Sequence, residues 1–375
     1  HLGEQLFTEI KPMALIPFAW MRASAALLQP LRRLSATAWL READVDLLLQ
    51  TLHPAWRLNR VMAQVEAREW VAEDMLALTL RCNGNARGWR AGQHVQLYWP
   101  HAGTRLSRSY SLTAVHDDGR IELAIKRQPG GRMSNQLLDH LPVGQVLELG
   151  QADGSLYWPA SRDGVLLLAA GSGITPLLGL LRQALSQGFT APITLLHYVR
   201  QRSQRAFNRE LQSLMSQYPN LQVRWAISGE LAAADELSGR FQPAHLHALP
   251  GSSLLVCGPH GFVASVREQW AGEVQAEAFS LPPTEASAST APLQLQFARS
   301  QLAVTGDSAT SLLQQAEAHG LRPVHGCRQG ICTRCTCTLL SGTVRDLRNG
   351  QLQHEPGQPI RICVSVPQGD VVVDL

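Results

Sequence analysis

The segment CRQGICTRC, Cys327 to Cys335, with a further cysteine at Cys363, constrains this chain more than any other feature. Four residues separate Cys327 from Cys332, two separate Cys332 from Cys335, and 27 lie between Cys335 and Cys363. A C-x4-C-x2-C run with a distant fourth cysteine is the spacing of plant-type [2Fe–2S] sites. Two irons need four thiolates converging from one wrapped segment, and small residues such as Gly326 and Gly330 let backbone amides approach the sulfurs and tune the potential. Zinc or unconnected thiols are the alternatives, but structural zinc usually shows two paired clusters and only one pair is present. Cys337 shares a strand face with Cys335 along CTCTLL, packed inward, and stays outside the ligand set with Cys82 and Cys257.

The chain holds seven cysteines, an odd number clustered toward one end, which fits a reducing compartment better than a secreted disulfide framework. A hydrophobic share of 45%, a charged share of 17% and a net charge of +3 describe a globular protein without the basic excess of a nucleic-acid binder. Near the start, PMALIPFAWMRASAALLQPLRRL is broken by Pro17, Arg22, Ser24 and Gln29 before a clean spanning run accumulates. Its Arg32 and Arg33 follow the apolar run, whereas a signal peptide carries its basic residues first. The expected location is the cytoplasm, with the cytoplasmic membrane surface as a compatible docking place.

At 375 residues, two to four domains are expected. Residues 1–57 read as two or three short helices from apolar spacing near three and four. From Val61, the runs VMAQVEARE, MLALTLRC, HVQLYWP, SRSYSLTAV, RIELAIKRQ and QVLELG predict the strands of an antiparallel barrel. The stretches GVLLLAA, ITLLHYV, LQVRWAI and SLLVCGP, alternating with helical PLLGLLRQAL and FNRELQSLM, predict a parallel α/β sheet. SLPPTEASASTAP, Ser280 to Pro292, reads as a linker. After it, LQLQF and QLAVT predict a hairpin, SATSLLQQAEAHG a helix with a Ser or Thr cap, and VVVDL a closing strand.

Four further motifs carry chemistry. Arg108-Ser109-Tyr110-Ser111 starts a barrel strand; alone, Tyr110 reads as a half-buried aromatic and Arg108 as a surface charge. Gly130-Gly131-Arg132-Met133-Ser134 opens a helix, where glycine amides and a helix N-terminus meet an anion such as a pyrophosphate. Gly171-Ser172-Gly173-Ile174-Thr175-Pro176 lies between an apolar strand and a helix, the setting of a phosphate loop. Cys257-Gly258-Pro259 places a second glycine turn at the carboxyl edge of the same sheet, where open α/β sheets bind ligands.

These motifs, in this order and followed by the cysteine spacing, resemble the ferredoxin–NADP reductase superfamily with a C-terminal plant-type ferredoxin domain, over Val61 to Leu375. The resemblance implies a multidomain chain: a helical N-terminal extension (1–57), an antiparallel β-barrel flavin domain (58–158) and an NAD(P)-binding domain with a parallel α/β sheet (159–280). A linker (281–292) and a β-grasp [2Fe–2S] ferredoxin domain (293–375) complete it. It implies that Arg108 binds flavin phosphate, Tyr110 stacks on the isoalloxazine and Ser111 hydrogen-bonds near N5, while Gly131, Met133 and Ser134 hold the pyrophosphate. Gly171, Gly173 and Thr175 would meet the dinucleotide phosphates and Cys257 with Gly258 the nicotinamide, so that Tyr110, Ser111 and Cys257 stand nearest the chemistry. Phe279, in EAFS, falls where relatives often place an aromatic or acid near the flavin. Cys327, Cys332, Cys335 and Cys363 would hold the cluster. One departure is Thr333, directly after Cys332, where many such domains have glycine; it leaves the ligand spacing untouched but bears on the local backbone.

After the second parallel strand, HYVRQRSQRAF carries no acid for a ribose diol. Arg200, Arg202, Ser203 and Arg205 offer a 2′-phosphate clamp instead, which favours NADPH over NADH. The GGRMS loop favours FAD over FMN. The expected activity is electron transfer from NADPH through FAD and the cluster to a protein acceptor. The helical start and HPAWRLNR resemble reductases serving di-iron membrane fatty-acid desaturases. The alternatives are the reductase of an aromatic-ring or alkane oxygenase, and a non-catalytic iron–sulfur sensor or scaffold, against which the intact RSYS and GSGITP stretches count.

Overall fold

A computed structural model describes residues 28–37, 39–101, 104–160, 163–246, 253–280, 292–326, 328, 330 and 333–375. Helices expected before residue 28, the linker over 281–291, and Cys327 and Cys332 lie outside the described residues. The chain folds into two compact units: one runs to Gly258 and takes in Ser265–Glu277, the other comprises Pro259–Ala264 and Ala278–Leu375.

The described N-terminal extension forms α1 (Gln29–Ala36) and α2 (Glu42–Leu52). Val45 and Leu49 of α2 are buried with Leu28 and Leu58, while Leu47, Leu48 and Leu52 face outward. Polar groups pin this extension to the barrel. The buried Asn83 amide donates to the carbonyls of Ala55 and Arg60, that of Asn85 to Arg57 and Arg60, and Arg32 donates to Asn85 Oδ1. The Leu58 amide donates to Asp46 Oδ1 at 2.7 Å.

The barrel strands are β1 (Val61–Ala72), β2 (Met75–Cys82), β3 (His94–His101), β4 (Thr104–Val115), β5 (Arg120–Lys126) and β6 (Val146–Leu149), closed in the order β1-β2-β5-β4-β3-β6. Their alternation sends Val65, Leu78, Leu80, Leu97, Leu112 and Leu123 inward, and two irregularities in the β1–β2 register bend β1. Helix α3 (Arg132–His140) adds Met133, Leu137 and Leu138 to this core.

The sheet holds β7 (Val165–Ala170), β8 (Ile193–Val199), β9 (Leu221–Ile227), β10 (Leu237–Ser238), β11 (Ser253–Gly258) and β12 (Val274–Ala278), in the order β10-β9-β8-β7-β11-β12, parallel from β10 to β11. Every residue of β8 is buried, as a central parallel strand covered on both faces requires. Helices α4 (Ile174–Ser186), α5 (Asn208–Gln217) and α6 (His260–Gln269) follow β7, β8 and β11.

Barrel and sheet share a seam. A Cβ on Gly179 of α4 would come within 2.5 Å of the Leu112 carbonyl oxygen of β4, so only glycine permits this helix to lie flush on the barrel. Arg182, one turn on, donates to Thr113 O and to the carboxylates of Glu122 and Glu210. The Glu73 and Phe207 amides donate across the seam to Ser203 O and Val71 O.

The second unit contains β13 (Leu293–Phe297), β14 (Leu302–Gly306), α7 (Leu312–Ala318), β15 (Thr336–Ser341), β16 (Val344–Asp346), β17 (Leu352–Gln353), β18 (Pro359–Arg361), β19 (Ser365–Pro367) and β20 (Val371–Val373). Its five-stranded sheet runs β14-β13-β20-β15-β18, and a three-stranded sheet runs β17-β16-β19. Helix α7 starts later than the first serine suggests: Ser311 is the cap, in a reciprocal capping box with Gln314.

Candidate active site

The flavin side is built on β4 and the turn into α3. Tyr110, on β4 opposite Val95 of β3, is half-buried against the barrel core, and burial pushes its phenol above the ordinary range. Ser111 beside it is buried, and Arg108 is exposed with its guanidinium on Ser107 O at 2.7 Å. At the start of α3, Gly130 has φ +68° and Gly131 is the N-cap, where a Cβ would overlap Ser134 Oγ. That buried hydroxyl has no hydrogen-bond partner among the described residues. A phosphate at this helix start would supply the missing acceptor, so the residues present fit a flavin pyrophosphate. Met133 enters differently: its side chain is core, leaving only its backbone amide to face an anion.

On the nucleotide side, the phosphate loop and the Cys257-Gly258 turn touch. A Cβ on Gly173 would overlap the Cys257 carbonyl and crowd the Gly258 amide at 2.8 Å. Gly171 has φ +54°, and Thr175 Oγ1 donates to Ser172 O at 2.9 Å, closing the loop on itself. Cys257 is fully buried; burial first, and then the charge of Glu277, push its thiol well above the ordinary value, so it is held neutral. Glu277 also lies 3.4 Å from His94 Nδ1, at the first residue of β3.

The expected 2′-phosphate clamp is more heavily paired than its own segment suggests. Arg202 donates to Glu230 and Glu236, Arg205 pairs with Glu236, and the Glu236 side chain is almost fully buried. The acids missing from HYVRQRSQRAF come from the segment after β9. Among the described ion pairs none involves Arg200, and Ser203, exposed, uses its carbonyl on the seam.

Three contributors escaped sequence reasoning. His197, buried in the middle of β8, has Nε2 3.0 Å from Gly171 O; since that carbonyl only accepts, Nε2 carries the proton. Burial lowers its pKa to about 4, so the ring stays neutral and braces the phosphate loop. Lys126, paired with Asp74 at 2.8 Å, reaches within 4.0 Å of where a Gly171 Cβ would stand. Glu277 is the third. An ionisable residue inside the strand ITLLHYV is the one available signal, for His197.

In the second unit, Cys335 and Cys363 are both 3% exposed, and the Ile362 amide donates to Cys335 O, which brings the two cysteine segments together. Cys337, half-buried on β15, has its thiol pushed up to about 12 by burial and by Cys335. Two buried cysteines on hydrogen-bonded segments fit a cluster screened from water. Phe279 directly follows β12 and is half-buried. Among the described residues no helix is long and apolar enough to cross a membrane.

Residues 62–158 match the oxidoreductase FAD-binding domain, 167–268 the oxidoreductase NAD-binding domain and 297–368 the 2Fe-2S iron-sulfur cluster binding domain. An NADPH oxidoreductase of Mycobacterium tuberculosis is 30% identical over 342 residues, 88% of each chain. The ferredoxin reductase component of 3-ketosteroid-9-alpha-monooxygenase from the same organism is 28% identical over 305 residues, 75% of this chain and 83% of that one. Phthalate dioxygenase reductase shares the fold with a TM-score of 0.59 at 23% identity, covering 84% of this chain and 98% of that one.

Proposed function

This chain belongs to the ferredoxin–NADP reductase superfamily, in the group ending in a [2Fe–2S] domain, and from that premise we propose that it delivers electrons from NADPH to an oxygenase component. The observation that carries the reading is the backbone contact of Gly173 with Cys257-Gly258, which joins phosphate loop and nicotinamide turn into one rim at the carboxyl edge of the sheet. An FAD held by Arg108, Tyr110, Ser111 and the Gly131–Ser134 turn would supply the conversion of a two-electron hydride donor to the one-electron chemistry of a cluster held by the cysteines. The chain's own part is positioning. His197 and Thr175 fix the phosphate loop, the neutral Cys257 thiol adds no charge beside a nicotinamide, and the half-buried Tyr110 would stack on a flavin.

NADPH is supported by three arginines, Arg200, Arg202 and Arg205, against two paired carboxylates, Glu230 and Glu236; a 2′-phosphate competes with the exposed Glu230 for Arg202 and finds Arg200 beside it. The oxygenase partner is supported by the monooxygenase reductase component among the relatives. A second reading, a membrane desaturase partner with docking at the bilayer surface, is favoured by Trp39, Leu47, Leu48 and Leu52, all more than half exposed on or beside α2.

The test is an anaerobic titration of the purified chain with NADPH and then NADH, followed through the flavin and cluster bands. NADPH is expected to bleach flavin and then cluster at about tenfold lower concentration, the ratio of one additional charge-assisted contact. Equal or tighter response to NADH overturns the nucleotide assignment, and no cluster reduction by either overturns the relay. Cosedimentation with anionic vesicles, lost on Leu48→Ser, would favour the desaturase reading over the oxygenase one.

A further inference from the structure

Two guanidinium groups in the second unit converge on one carbonyl oxygen. Arg348 Nη1 donates to Gly330 O at 2.9 Å, and Arg361 Nη1 donates to the same atom. Gly330 lies between Cys327 and Cys332 with φ +74°, and a Cβ there would stand 2.7 Å from Arg348 Cδ and 2.8 Å from Val364 Cγ2. The arginines are thus packed directly on the loop. Arg348 is oriented by the buried Asp346, whose Oδ2 accepts from Nη2 at 2.6 Å and whose Oδ1 accepts from the Arg348 amide at 2.9 Å. Arg361 sits at the end of β18, opposite Thr336 of β15 and two residues before Cys363.

Satisfying one carbonyl needs one neutral donor. Here two like charges are held on it in spite of their mutual repulsion, and among the described ion pairs Asp346 faces Arg348 while none involves Arg361. The set leaves a surplus positive charge against the cluster loop. Reduction adds one electron, and so one unit of negative charge, to a [2Fe–2S] cluster, and nearby net charge and hydrogen bonding set its potential. We propose that Arg348 and Arg361 are positioning residues that raise the reduction potential of the cluster, by clamping Gly330 and by holding a surplus positive charge beside the loop. The electron comes from the bound flavin and no proton is required. This rests on the cluster reading of the second unit.

The experiment is a mediated spectroelectrochemical titration of the full-length holoprotein, following cluster absorbance and the electron paramagnetic resonance of the reduced cluster, with the flavin as internal reference. Arg361→Gln and Arg348→Gln each shift the cluster equilibrium about tenfold toward the oxidised form, ~59 mV for one electron, with the flavin potential unmoved. Arg361→Lys restores most of the shift, and Asp346→Asn moves the potential the opposite way. Cluster-replete glutamine variants with unchanged potential overturn the inference and leave a mechanical brace only; so does an Asp346→Asn shift of the same sign as the arginine variants. Should Arg361→Gln lose its cluster, Arg348→Gln decides alone, since its side chain is 34% exposed and tolerates replacement. Absence of cluster absorbance in the unsubstituted protein defeats the cluster reading itself, an outcome distinct from an unmoved potential.

Discussion

The glycine loop at Gly171–Gly173 and the loop around Gly330 and Thr333, proposed to hold a dinucleotide phosphate and a cluster, both turn the chain tightly, yet they do so with different residues. In the first, positive φ falls on glycine, at Gly171, and Gly173 is required for a second reason, because the Cys257 carbonyl occupies the space of any Cβ. In the second, Gly330 is joined by Arg328 at φ +59° and Thr333 at φ +53°. The left-handed region costs a residue with a Cβ roughly 1–2 kcal/mol, more for a β-branched one. Both side chains are exposed, so the cost is torsional and not a collision. Compensation is local: Thr333 O accepts from the Thr336 amide at 3.0 Å and from its hydroxyl at 2.5 Å, and Arg328 is held by Glu317. Steric exclusion by a neighbouring backbone therefore imposes glycine absolutely, while a positive φ alone only taxes its substitutes.

Gly173→Ala should break the comparison hardest. Displacing the Cys257 turn is expected to lower kcat/KM for NADPH with ferricyanide by about 100-fold or more, while dithionite still bleaches the flavin. Near-normal kinetics would mean that the two backbones can separate cheaply.

His197 tests how firmly the first loop is braced. Its folded pKa, about 4, lies below the ordinary 6.5, so between these values the unfolded chain binds a proton that the folded chain refuses. The stability it contributes is complete above 6.5 and is lost as pH falls toward 4, on the order of 3 kcal/mol in all. Urea unfolding measured on either side of that window should show the slope, and His197→Gln should flatten it; an unchanged slope would assign the acid sensitivity elsewhere.

The smallest effect sharpens the second loop. Thr333→Gly relieves the torsion but loosens the unfolded chain, a net gain of about 0.5–1 kcal/mol, visible as a higher urea midpoint of the cluster absorbance. A lower midpoint would show that the Thr333 conformation carries no strain.

Much of this was legible because it is local. MLALTLRC, ITLLHYV and LQVRWAI are strands from end to end, as their apolar content and bounding turn residues dictate. The glycine motifs announce themselves for the same reason: strand, turn and helix are adjacent in sequence. Even Thr333 is readable, since a β-branched residue at a glycine position foreshadows its positive φ. What sequence leaves unread is non-local. Glu230 and Glu236 close on Arg202 from 28 and 34 residues away, and Arg182 reaches Glu122 across 60. Gly179 looks like a tolerated helix glycine until the Leu112 carbonyl is seen to lie against it. No periodicity encodes such pairings, because each depends on how two separately formed elements meet.

The asparagines under the helical extension bear on how this protein can be divided. Asn83 and Asn85 spend their amides on carbonyls at Ala55, Arg57 and Arg60, and the Leu58 amide reaches back to Asp46. A truncation beginning at the first barrel strand would remove three acceptor carbonyls and, with them, four hydrogen bonds from two buried amides. Modular as the three cofactor motifs look, the extension is not a detachable leader but a foundation that any shortened or fused version of this protein would have to rebuild.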